Sequence, residues 1–252
     1  MAFFDDTNHV SSESRRDLIT TGVCFASPLF YCIDSDQIPL ACAKDVSCIR
    51  LSSSPKIIAQ FITNVGNTKF LSSVRRSNYK FLYRGLSSDE VEAVANNDEL
   101  AAIIIKEEPF DLLDSNTYNS TESVIYFQDM EHEMTAMRMP LKPSNSHIGT
   151  TNPKDAARWG QAASIWPLGE EGVDFAWLAD GGSFWPTGEL HIKERNGITS
   201  SMKVPGDGKC DGLSEALLED SLEIMFRADN GFVAVPDELD KELRKHLSEM
   251  RF

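Results

Sequence analysis

With 252 residues, 41% of them hydrophobic and 25% charged, the chain can bury one substantial core, which excludes overall disorder and predicts a single globular body with an N-terminal extension. A net charge of -15 excludes nonspecific binding to nucleic acid, whose phosphates it repels, and favours a protein partner with a basic surface. The five cysteines (Cys24, Cys32, Cys42, Cys48 and Cys210) are an odd number without Cys-x-x-Cys spacing and read as reduced thiols of a cytoplasmic protein.

The first 16 residues are polar, and Leu18 to Ile62 mixes apolar runs with Ser, Pro and Asp, as short elements packed on a larger body do. The apolar run from Leu18 to Ala43 is interrupted by Pro28, Asp34, Asp36 and Pro39, so no membrane span is expected there. The amino-terminal stretch lacks the basic and apolar regions of a secretory signal, and passage into a host cell would need a signal read elsewhere. Pro55 to Val65 is predicted to be a helix, with Ser52 to Ser54 as caps and Pro55 at the first helical position. Tyr79 to Tyr83 reads as a strand with Arg84-Gly85 as its exit, and Ser87 to Glu90 as a capping box opening a helix to about Leu100.

Ala101 to Ile105 is a short apolar segment, and Val124 to Phe127 a further strand candidate beyond a loop-like stretch from Asp111 to Glu122. Glu131 to Asn145 is ambiguous. His147 to Thr150 reads as a strand end, Asn152 as a cap and Pro153 as the start of a short helix ending at Gly160. Val173 to Leu178 and Glu189 to Lys193 are predicted strands joined by a loop rich in Gly, Trp and Pro. Two amphipathic helices, Leu213 to Phe226 and Asp237 to Met250, close the chain, the second with a stripe of Leu239, Leu243 and Leu247. These elements divide the chain into a mainly helical N-terminal extension (1–70), a core (71–210) and C-terminal helices packed on it (211–252).

Two stretches carry a family resemblance. Tyr83-Arg84-Gly85 ahead of its capped helix, and His147-Ile-Gly-Thr-Thr-Asn152 ahead of Pro153 and Ala156-Ala157, resemble the core of the mono-ADP-ribosyltransferases. In that family one strand ends in an arginine and a second in a Ser/Thr pair. The resemblance implies an α+β fold with a split β-sheet core and flanking helices. It also implies a cleft for NAD, and transfer of ADP-ribose to a protein target, as bacterial toxins and injected effectors perform it.

That chemistry breaks the bond between nicotinamide and its ribose through a transition state with oxocarbenium character. It requires donors for the pyrophosphate, a rigid strand for the ribose, and a carboxylate facing the charge that develops at the anomeric carbon. By the resemblance Arg84 holds the cofactor with its planar fork, assisted by nearby Arg75, Arg76 and Lys80. Gly85 admits a close approach, Thr150 and Thr151 brace the cleft, and His147 and Trp185 are further cofactor contacts. Each residue also has a structural alternative: an arginine paired with a carboxylate, threonines that cap a helix, a histidine within the core.

Glu189 is the expected catalytic carboxylate, opening a strand after the loop from Asp180 to Gly188. Arginine-modifying members carry Glu-x-Glu, whereas Thr187 stands two residues before Glu189 and His191 two after. A rival alignment uses Arg84, Ser120 and the Glu131/Glu133 pair. Of the aromatic residues, Phe184 and Trp185 are favoured for ligand or target contact. No phosphate-binding loop, dinucleotide-fold fingerprint or metal-ligand spacing occurs. Hydrolysis of NAD by water, and a non-catalytic acidic inhibitor or adaptor, are the competing functions.

Overall fold

The computed structural model describes residues 48–94, 100–106, 121–178, 184, 202–203 and 211–250. Strand β1 (Cys48–Ser52) leads into helices α1 (Pro55–Val65) and α2 (Thr68–Arg76), strand β2 (Tyr83–Leu86), helix α3 (Ser88–Val94) and strand β3 (Ala102–Ile105). Helix α4 (Thr121–Ala136), a 3-10 turn at Pro143–Asn145, strand β4 (His147–Thr150), helix α5 (Pro153–Ala156) and strands β5 (Gln161–Pro167) and β6 (Val173–Leu178) follow. Strand β7 (Met202–Lys203), helix α6 (Asp211–Ala216), strands β8 (Glu223–Ala228) and β9 (Phe232–Pro236), a 3-10 turn at Asp237–Leu239 and helix α7 (Asp240–Glu249) complete the series.

Local chemistry accounts for several of these boundaries. Pro55 takes the first position of α1, where its missing N–H costs nothing, and Ile58, Ala59 and Ile62 recur on one buried face. The helix stops at Gly66, whose N–H bonds to the Ile62 carbonyl at 2.8 Å. A Cβ there would lie 2.4 Å from that oxygen. Asn67 caps α2 by accepting the Phe70 N–H at 2.9 Å, and its amide donates to the Gly169 carbonyl at 2.9 Å. The cap therefore also ties the helix to the segment after β5.

Among the described residues the strands form one antiparallel sheet, ordered β1-β3-β9-β5-β2-β4-β8-β6-β7. Its ladder is uneven. Strand β2 shares four residue pairs with β5, and β4 shares four with β8, but β2 and β4 meet only at Tyr83 and Thr150. The sheet is thus two half-sheets, one of five strands ending in β2 and one of four beginning with β4, joined by a single rung.

Two hydrophobic clusters hold this arrangement. The larger gathers α1, α2, α7 and residues of most strands around Trp166, Phe70, Phe81 and Phe232. Phe81 meets Trp166 edge-on at 4.9 Å between centroids, and Phe70 stacks on Phe175 at 5.4 Å. The smaller lies between α4 and the second half-sheet, with Tyr126, Phe127, Met130 and Met134 over Ala176, Leu178 and Met225. No helix among the described residues is long and apolar enough to cross a membrane.

Several elements differ from those predicted. Val124 to Phe127 lies in helix α4, not in a strand: Tyr126/Phe127, Met130 and Met134 repeat at helical spacing, which four residues are too few to reveal. The expected helix from Leu213 to Phe226 stops at Ala216, and its second half is strand β8. The polar run Glu219-Asp220-Ser221 turns the chain there, with Ser221 at φ 60°. Strand β8 then fills the gap between β4 and β6, and β9 lies between β3 and β5, so the C-terminal segment supplies two interior strands as well as helices. Cys48, Ile58, Ala59, Ile62 and Phe70, expected in an extension, pack in the main core. Residues 1–47 and the Glu189 to Lys193 segment lie outside the described residues.

Candidate functional site at the junction of the half-sheets

Phe81, Leu82 and Tyr83 are all buried and anchor β2 from below. Arg84 lies within this strand, opposite Ala163, and not at its exit. Its Nη1 donates to Glu90 Oε1 at 3.0 Å, and its Cζ lies 5.8 Å from the centre of the Phe232 ring. Glu90 has a second task. Its other oxygen accepts the Ser87 N–H at 2.6 Å while Ser87 Oγ accepts the Glu90 N–H at 3.4 Å, which is the predicted capping box. One carboxylate thus starts α3 and orients the arginine.

Phe232 also meets His147, whose ring centre lies 5.4 Å away, with Phe226 at 5.3 Å on another side. His147 is only 4% exposed. Burial, and then the charge of Arg84, hold its pKa well below the ordinary value, so it is neutral at pH 7. The expected cofactor contact is therefore a core histidine beneath the arginine.

Thr150 occupies the single rung. It faces Tyr83 on β2 and Glu223 on β8, so the arginine strand, the threonine strand and a strand that opens with a carboxylate lie side by side. The threonine hydroxyls do not reach across to Arg84. Thr150 Oγ1 accepts the Asn152 N–H at 3.3 Å, while Thr151 Oγ1 donates to the Glu219 carbonyl at 2.6 Å and accepts the Leu222 N–H at 3.0 Å. Asn152 caps α5 as predicted, and its amide donates to Asp220 Oδ1 at 3.2 Å and Ser221 Oγ at 3.1 Å. The end of β4 is thereby fastened to the turn that delivers Glu223. The Glu223 side chain is half-buried and its Oε2 accepts the Phe184 N–H at 2.6 Å.

Sequence reasoning missed Glu223 by assigning its segment to a helix. The signal was present in the turn-forming run Glu219-Asp220-Ser221 followed by alternation of Leu222, Ile224 and Phe226. Glu189 and Trp185 lie outside the described residues, and Phe184, expected to touch a ligand, is fully buried. Glu131 of the rival pair is a tie between α4 and the segment entering β4. Its oxygens accept the Ser144 N–H and hydroxyl, each at 2.8 Å, and Lys142 Nζ lies at 3.1 Å. Among the described residues no group of three His, Cys, Asp or Glu side chains could hold a metal ion.

Gly85 serves close approach, but by the protein itself. A Cβ there would lie 2.6 Å from the Ala156 carbonyl oxygen and 2.7 Å from the Trp159 carbonyl carbon, so the α5 turn fills the space expected for a ligand. Gly85→Ala should destabilise the fold by about 1–3 kcal/mol, the usual cost of overpacking against backbone, visible as a lowered midpoint in thermal unfolding. Trp159 itself is 63% exposed.

Next to the same strand is a buried polar cluster. Asp240 Oδ1 accepts the Ser164 hydroxyl at 2.9 Å, the Tyr83 hydroxyl also bonds to this carboxyl, and Trp166 Nε1 donates to Ser164 Oγ at 3.2 Å. Burial raises the Asp240 pKa from 3.8 to about 7, with Asp237 adding to the rise and the two hydroxyls and Arg244 opposing it. Folded protein therefore keeps this proton over a range in which the unfolded chain has lost it. Stability linked to this group is complete below the unfolded pKa, and is lost as pH rises toward the folded value. Asp240→Asn removes the linkage: the stability of the variant relative to wild type should increase by a few kcal/mol, on the order of 1.4 per pH unit, between pH 4 and 7, measured by urea unfolding.

Comparison of the chain with protein-family models, curated proteins and solved structures gives no match.

Proposed function

We propose that this protein is an NAD-dependent mono-ADP-ribosyltransferase that modifies a protein target, built on a split-sheet fold of the ADP-ribosyltransferase type. One observation carries the reading: the strands that bear Arg84, Thr150 and Glu223 lie side by side where the two half-sheets share a single rung, with Arg84 one residue out of register with Thr150 and Glu223.

In this reading Arg84, oriented by Glu90, binds phosphate or ribose oxygens of NAD through its guanidinium. Thr150, Thr151 and Asn152 fix the spacing of β4 and the Glu223 turn through their bonds to residues 219–222. Glu223 takes the part expected of Glu189. Its carboxylate accepts a ribose hydroxyl and stabilises the positive charge that develops as the bond from the anomeric carbon to nicotinamide breaks. The bonding pair leaves with nicotinamide, a nucleophile of the target forms the new bond to that carbon, and its proton passes to solvent.

Ser221 stands two residues before Glu223, where arginine-modifying members carry a second glutamate, so an acceptor other than arginine is favoured. The same absence favours water as the acceptor in a second reading, NAD hydrolysis. The net charge of -15 favours a target with a basic surface. Incubation with NAD labelled in its adenylate half should release nicotinamide and leave label on protein, whereas free ADP-ribose alone indicates hydrolysis. Intact NAD, together with tight binding of a cationic protein, would instead identify a non-catalytic acidic inhibitor or adaptor.

A further inference from the structure

Building on the NAD-binding role of Arg84, we propose that Asp240, at the start of α7, is a positioning residue that fastens β2 and β5, the edge of the first half-sheet that meets β4, to α7 through Tyr83 and Ser164. The geometry behind this is specific to the junction. Tyr83 is the only residue of β2 that pairs with β4, and on its other side it pairs with Ser164 of β5. Both of these neighbours on β2 and β5 send their hydroxyls to one carboxyl, with Ser164 held in turn by Trp166.

The same helix grips the approach to β2 a second time. Arg244, one turn beyond Asp240, donates from Nε to the Tyr79 carbonyl at 3.0 Å and lies 4.8 Å over the Phe81 ring. Leu243 and Leu247, both essentially fully buried, seat α7 in the main core and make it a rigid mount. The groups facing Asp240 are Tyr83 from β2, Ser164 from β5, Asp237 from the preceding 3-10 turn and Arg244 from its own helix. With one backbone rung across the junction, the edge that carries Arg84 is held by its ladder with β5 and by these side-chain ties to α7.

Loosening them should therefore displace Arg84 while leaving Glu223, which belongs to the other half-sheet, where it is. The effect falls on NAD binding and spares the chemical step. A change that merely lowers the folded fraction does the opposite, reducing apparent kcat at constant KM.

Two measurements on the full chain test this, with Tyr83→Phe removing one hydroxyl and Asp240→Asn keeping the shape of the side chain and an acceptor oxygen for Ser164. Amide hydrogen exchange at residues 83–86 should quicken about tenfold in Tyr83→Phe and stay near wild type in Asp240→Asn, with exchange in α1 unchanged in both. The KM for NAD should rise about tenfold in Tyr83→Phe with kcat within about twofold, and Asp240→Asn should preserve both. Unchanged exchange at 83–86 overturns the proposal, as does faster exchange with an unchanged KM or with equal losses in both variants. If the wild type leaves NAD intact, the functional reading and the catalytic part of this role fall together, and exchange alone then decides whether α7 holds β2.

Discussion

Glu223→Gln should lower the rate of nicotinamide release from NAD by about 100-fold or more, the usual cost of removing one group aimed at transition-state charge. The amide keeps an oxygen that can accept the Phe184 N–H, and the position is half-buried at the opening of β8, so the fold and its thermal midpoint should change little. What disappears is the negative charge, which matters only as positive charge grows on the ribose. The loss should therefore appear in kcat and not in KM. Glu189→Gln is the necessary companion. If that variant loses activity and Glu223→Gln retains it, the carboxylate assignment belongs to the loop after β6 and not to β8.

Arg84→Ala should cost about 3–5 kcal/mol of stability, because the Glu90 carboxylate, 4% exposed, loses its guanidinium partner within the protein. That loss would obscure any effect on NAD, so the informative variant is the double substitution Arg84→Met with Glu90→Gln. The glutamine oxygen can still accept the Ser87 N–H and keep the start of α3, while no buried charge remains. Thermal unfolding should return most of the way to the wild-type midpoint, with NAD cleavage still reduced by about tenfold or more in kcat/KM. Recovery of both stability and activity would show that the arginine serves only its ion pair.

The contrast between these two residues shows where the candidate site was legible in the chain. Arg84 and the Thr150–Thr151 pair were readable because strong local signals bracket them: the Ser87–Glu90 capping box on one side, Asn152 and Pro153 on the other. Pro55 likewise marked the start of α1. Glu223 was not readable, because Leu213 to Phe226 satisfies a helical pattern as well as it satisfies a turn and a strand. The second role of Glu90 was hidden too, since a capping box accounts for that glutamate without reference to Arg84. Helix α4 failed in the other direction: a window of four apolar and aromatic residues fits a strand, and the helical repeat emerges only when Met130 and Met134 are included.

By itself the chain determined its acidic character, its mixed α and β composition, and the starts of α1, α3 and α5, which prolines, caps and short-range hydrogen bonds set. Those interactions span three or four residues and form in any context. The tertiary structure alone decided that β8 lies beside β4, that one rung joins the half-sheets, and which carboxylate stands next to Thr150. Strand pairing unites residues as distant as Thr150 and Glu223, and its energy comes from partners that no local window contains.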